Sequence, residues 1–269
     1  MANVNLLVWG RRAARVLCAA LVVSAAGLVL SAAARAASPW EKLLAAKQAA
    51  YEANFKNDAA GLREASEKLD ALASDKELGA SALYYAGWTR WSLAASQLQA
   101  NQHEEAVASL SRSVEDLKKA VALTPNNGEF ESQLASSLIS LATQDQSKFM
   151  QLLPEVGAHR KRALELAPAS PRVVMMDAGM IFYTPAEHGG SQEKGVARWQ
   201  EAIQLFEKEH VEDAVQPDWG RALAYGWLAN LYLGMSPPRT KEAKEMANRA
   251  LELRPDFWFV KTQVLPKLS

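Results

Sequence analysis

The sequence predicts an all-α protein of about eleven helices joined by short breaks. Three observations carry this expectation. From Trp40 onward apolar residues recur at helical spacing, and no run alternates apolar and polar residues as a half-buried strand would. Proline, glycine and asparagine interrupt that periodicity at short intervals, as they do at helix ends. Related phrases also recur, "KKAVALTP", "KRALELAP" and "NRALELRP", each with an alanine five residues before its proline, at Ala120, Ala163 and Ala250.

The first 36 residues stand apart from this pattern. Arg11, Arg12 and Arg15 precede an apolar run from Val16 to Leu30, and the small residues Ala34 and Ala36 follow it. That order is a secretory signal peptide with cleavage expected after Ala36, which places the chain in the periplasm or outside the cell. An uncleaved anchor is the competing reading, because Val16 to Ala34 is nearly long enough to span a thin bilayer. Cys18 lies at the start of the apolar run behind the large Leu17, which fits a lipoprotein signal poorly. Gly10 before Arg11-Arg12 and Ala13-Ala14-Arg15 after it fit twin-arginine export poorly, leaving ordinary Sec export.

The whole chain holds 30 basic and 30 acidic residues; without Arg11, Arg12, Arg15 and Arg35 the balance becomes 26 against 30, a net charge of −4. This weighs against nucleic acid, which requires a basic face. Cys18 is the only cysteine, so the processed chain has none to cross-link and its stability must come from packing. No other segment is long and apolar enough to span a membrane.

Helices are expected over 39–56 and 58–73, together a helical cap over 38–76, and then over 77–99, 102–123, 128–143 and 147–166 in a repeat domain spanning 77–269. The remaining ones are expected over 171–183, 191–209, 217–234, 239–253 and 256–265. Thr124-Pro125-Asn126-Asn127-Gly128 ends one helix, and Ser236-Pro237-Pro238 separates another pair. Ala167-Pro168-Ala169-Ser170-Pro171 divides two more, with Pro171 at the first turn of the next helix.

Tyr225, Leu228, Ala229 and Tyr232, followed by Ala243, Ala250 and Pro255, space a helix pair as tetratricopeptide repeats do. Ala178, Gly179 and Phe182, then Gly195, Trp199 and Ala202, keep the same small-x3-large spacing, with glycine at 195 where alanine is usual. On these residues the chain resembles the tetratricopeptide repeat (TPR) family over most of 77–255, most closely at the end. Ser170-Pro171-Arg172, Tyr183-Thr184-Pro185 and Gly189-Gly190 also resemble a pattern in exported bacterial repeat proteins. The resemblance implies a tandem helix-turn-helix α-solenoid whose stacked pairs form a concave groove for a partner.

The segment "YTPAEHGG" lengthens the turn within one such pair by about four residues, and a structural role accounts for nearly all of it. Thr184-Pro185 stops the first helix. Gly189-Gly190 permits unusual backbone angles, and Ser191 can cap the next helix, with Glu193-Lys194 in its first turn. Glu187 and His188 together would suit acid-base chemistry, but neighbours on a loop rarely converge on one atom without a third group. The chain is therefore not expected to be an enzyme. His103, His159, His188 and His210 fall on separate elements without a partner at zinc spacing, so neither metal nor cofactor is expected.

Aromatic residues are more informative. Tyr84, Trp88 and Trp91 share one face of a helix, where they either form core or line the groove. Met176, Met180, Tyr183, Asn230 and Leu233 are the other positions expected to face the groove from the repeat register. Methionine and tyrosine adapt to partners of varied shape, which favours a protein or peptide over a single rigid ligand. A small molecule, held for an envelope transporter or enzyme in a pocket walled by Tyr84, Trp88 and Trp91, is the alternative.

Overall fold

The structure is a computed structural model and describes residues 37–268; the signal-peptide expectation for 1–36 lies outside them. Among the described residues no helix is long and apolar enough to cross a membrane. The unit from Pro39 onward is all-α, with helices packed in sequential antiparallel pairs. The first pair is α1 (Pro39–Lys56) with α2 (Ala59–Asp70), and the next is α3 (Gly79–Gln99) with α4 (His103–Leu123). α5 (Gly128–Gln144) pairs with α6 (Phe149–Leu166), α7 (Pro171–Tyr183) with α8 (Gln192–Phe206), and α9 (Arg221–Gly234) with α10 (Thr240–Leu253).

Local chemistry sets these boundaries. The Asp58 carboxylate accepts from the amides of Ala60 and Gly61 at the start of α2. Asn127 does the same for Glu129 and Phe130 at α5, satisfying donors that the first turn leaves orphaned. Ser170 caps α7 with Pro171 behind it, and Ser191 caps α8 through the Lys194 amide. The chain ends in a π-turn over Val260–Val264 and a 3-10 turn over Leu265–Lys267, where a plain helix is expected. Pro266 has no N–H to extend an α-helical ladder.

Small residues let the helices of a pair approach. Ala120, Ala163 and Ala250, marked by the recurring phrases, are each at most 1 % exposed. Gly195 explains its own departure from the repeat pattern, because a Cβ there would lie 2.7–2.9 Å from Phe182 Cβ and backbone. The first helix of each later pair is buried nearly all round, whereas its partner is amphipathic with a charged outer face.

One joint differs from expectation. Helices were expected to end at 209 and begin again at 217, but residues 207–220 contain neither helix nor strand and α9 starts only at Arg221. Pro217 disfavours helix in the residue before it, and Gly220 adopts φ +121°, where a side chain would be strained. A Cβ at Gly220 would also meet the Phe206 ring at 2.4 Å. The result is a fourteen-residue strap rather than a short joint.

The ends of the repeat unit meet. Arg254 on the C-terminal side forms two 2.9 Å bonds to the Glu52 carboxylate of α1 and lies 4.1 Å over the Phe55 ring, while Phe55 packs edge-on against Phe257.

Candidate functional site

The strap decides the fate of the aromatic stripe on α3. Tyr84 and Trp88 are 0 % and 1 % exposed, so of the two readings the groove is corrected and core holds for both. Tyr84 stacks on Phe130 at 4.5 Å, and Trp88 meets Tyr51 edge-on at 5.1 Å. Trp219 of the strap lies 5.4 Å from Trp88, and its indole N–H donates to the Tyr84 hydroxyl at 3.0 Å. Trp91 is half-buried, its N–H donating to Ser140 Oγ at 2.9 Å across to α5.

Polar contacts secure the strap from several helices. Lys47 Nζ of α1 donates to the carbonyls of Ala214 and Gln216, each at 2.8 Å, and lies 2.9 Å from the Asp218 carboxylate. Tyr85 donates its hydroxyl to the Val215 carbonyl at 2.8 Å. Arg172 of α7 donates to the Trp219 carbonyl at 2.8 Å and pairs with Glu129 and Glu209. Burial works against the Arg172 charge, but those two carboxylates overcome it and hold the guanidinium above its usual value. Burial likewise pushes the phenols of Tyr51, Tyr84 and Tyr85 well above the ordinary tyrosine range.

The other expected groove residues divide between two places. Met176 and Met180 border a crevice of about 10 Å³, room for a single water, beside Asp177 and Arg160. Asp177 there joins Arg160 at 2.7 Å to Arg198 at 3.3 Å. Tyr183, Asn230 and Leu233 instead share a depression of about 810 Å³ between the α7–α8 turn and the end of α9, with Met235 and Lys267 also on its wall.

This depression is open to solvent, and polar and apolar groups line it in nearly equal measure. Tyr183 is 63 % exposed, a large apolar ring left uncovered. Surrounding protein raises its phenol above the ordinary value, and a hydrogen bond with Asn230 draws it partly back. The rim is fixed. Ser191 donates its amide to the Ile181 carbonyl at 3.0 Å, Gly190 to that of Pro185 at 3.1 Å, and Arg239 reaches Glu193 at 2.6 Å. Thr184, Pro185 and Ala186 form part of the wall, whereas Glu187 and His188 are exposed and lie outside it.

His159 is half-buried and paired, although the sequence marks no partner for it on another helix. Its Nδ1 lies 2.5 Å from Glu131, a buried carboxylate of α5, with Glu155 3.7 Å from Nε2. Glu155 four residues before it on α6 was a weak sign, but the partner on α5 depends on how two helices pack. Among the described residues no group of three His, Cys, Asp or Glu side chains is placed to hold a metal ion.

No family model matches the chain, and no curated protein matches its sequence. Solved structures do match. A thermophilic TPR protein from Thermus thermophilus aligns with a TM-score of 0.53 at 20% identity, over 82% of this chain and 98% of that one. This is a TPR-like helical repeat fold. The HusA haemophore from Porphyromonas gingivalis aligns with a TM-score of 0.51, also at 20% identity, over 75% of this chain and 96% of its own. At that identity the likeness concerns backbone architecture, and such architectures serve many unrelated tasks.

Proposed function

We propose that this TPR-like chain is an exported, non-catalytic binding protein, periplasmic or secreted, that holds a segment of a protein partner in the depression framed by Tyr183, Asn230 and Leu233. The observation that carries this reading is the exposed Tyr183 ring on the wall of an 810 Å³ open depression. Tyrosine offers a large contact area with few torsions to freeze, and an adjacent amide can pair with a partner's backbone. An open trough with mixed lining suits a chain that enters and leaves along its length. A deep, apolar cavity would instead enclose a small ligand.

The test places a photoreactive phenylalanine at Tyr183 or, as a control, at the exposed Leu123, and compares the proteins captured in the cell envelope. A protein joined at 183, absent at 123 and lost on adding Asn230→Ala supports the reading. Equal capture at the two positions removes it. N-terminal sequencing of the captured chain tests export, with Ala37 the expected first residue.

A small molecule is the second reading, favoured by a volume within the range of about 300–1,000 Å³ usual for such sites. The HusA relative in fold is a haemophore, so haemin is the ligand to titrate first, with Tyr183→Ala as the control. Saturable binding weakened by that change favours the second reading over the first.

A further inference from the structure

The strap is held as a ligand is held. Its carbonyls at Ala214, Val215, Gln216 and Trp219 are taken by Lys47, Tyr85 and Arg172, side chains from three different helices. In the strap the amides of Gln216 and Val215 bond locally, back to Asp213, while the Trp219 indole N–H donates across to the Tyr84 hydroxyl. Along its last residues burial alternates: Gln216 and Asp218 are exposed, Pro217 and Trp219 buried, as in an extended peptide lying on a surface. Asp218, its side chain 48% exposed, meets the 6% exposed Lys47. Beneath Trp219, the Trp88 indole N–H is buried with no acceptor, a polar group that the strap leaves unsatisfied.

We propose that the inner face formed by α1, α3 and α7 is a second binding site, for an extended peptide carrying proline, an acidic residue and tryptophan in succession, and that residues 213–219 occupy it in cis. The site is separate from the Tyr183 depression and goes beyond the function proposed above. Lys47, Tyr85 and Arg172 read main-chain carbonyls and so accept any backbone. Selectivity comes from the Lys47 charge, which favours an acidic side chain, and from Tyr84 and Trp88, which accept an indole. A partner bearing the same pattern competes with the strap, and the strap sets the affinity it must exceed.

The experiment uses the chain purified from its own cells and a fluorescein-labelled peptide of residues 212–220, "EDAVQPDWG". Fluorescence anisotropy is expected to show binding to the Trp219→Ala chain at least tenfold tighter than to the unaltered chain. The same peptide carrying Asp218→Lys should lose at least tenfold of that affinity, and Tyr183→Ala should leave it unchanged. A folded Trp219→Ala chain that binds the peptide no better than the unaltered one overturns the proposal. If Trp219→Ala abolishes cooperative melting, Asp218→Lys in the chain replaces it, since that side chain is half exposed. Hydrogen exchange on the unaltered chain gives an independent answer. The amides of Val215 and Gln216 should exchange faster than those of α3, and exchange only on global unfolding would make the strap a fixed part of the core.

Discussion

Two regions of this molecule present aromatic rings from repeat helices and end in opposite surroundings. On α3, Tyr84 and Trp88 are sealed beneath Trp219, whereas at the end of α7 Tyr183 stands 63 % exposed beside an open depression. The α3 rings are groove candidates from their shared helix face, and Tyr183 is one from the repeat register. The difference lies in what crosses in front of them. A fourteen-residue strap lies over the first, and a turn bordered by Thr184-Pro185 and Gly189-Gly190 rises beside the second without covering it. Exposure is therefore a property of the connecting segments as much as of the helices that carry the rings.

The sharpest way to break that contrast is to remove the cover. Trp219→Ala is expected to destabilise the fold by about 3–5 kcal/mol, the usual loss for a buried aromatic truncated to alanine. Urea unfolding measures it, and a loss below about 1 kcal/mol would mean that the inner face does not depend on the strap. Alkaline titration separates the two regions next. The phenols of Tyr51, Tyr84 and Tyr85 are raised in the folded state, so their contribution is fully present below the unfolded tyrosine value of about 10 and is lost as pH rises beyond it. Each such phenol then removes about 1.4 kcal/mol per pH unit until its folded value is reached. Phenolate absorbance should rise for Tyr183 before unfolding, and for the three inner phenols only with it.

Much of the fold is legible in the sequence because its signals are local. Helix starts at Ser170 and Ser191, the alanines before each closing proline, and the spacing around Tyr225 and Trp199 all act within a turn or two of themselves. The strap was missed because its meaning is not local. Pro217 and Gly220 mark a break, yet only Lys47, Tyr85 and Arg172, between 47 and 169 residues away, show where that segment goes. The site divided along the same line. Repeat register sets Tyr183, Asn230 and Leu233 on one groove together with Met176 and Met180, whereas the choice between core and groove at Tyr84 and Trp88 depends on a covering that no register encodes. His159 and Glu131 were missed for the same reason, being neighbours only once α5 and α6 pack.

A smaller perturbation sharpens the contrast from the other side. Gly195→Ala places a methyl group against Phe182, which also lines the depression, and should cost about 1–3 kcal/mol as α7 and α8 are forced apart. Denaturation measures the loss. Because the shift moves the wall itself, a small-angle change at the Tyr183 turn should accompany it as faster exchange of the Gly190 and Ser191 amides, whose bonds to Pro185 and Ile181 tie the turn down.

Tyr183→Ala is expected to have the least effect on stability and the most on binding. The ring is mostly in solvent, so its truncation should change unfolding free energy by no more than about 0.5 kcal/mol, the range of ordinary surface substitutions. Its edge-on contact with Phe182 at 5.1 Å and its bond to Asn230 are interactions that could raise that figure. A loss of 2 kcal/mol or more, on the scale of about 3–5 kcal/mol expected at a buried aromatic, would show that this ring is a structural strut like Trp88. An unchanged midpoint together with lost partner capture would separate the two regions by role as well as by exposure: one aromatic set holds the repeat stack together, and the other is free to be covered by something else.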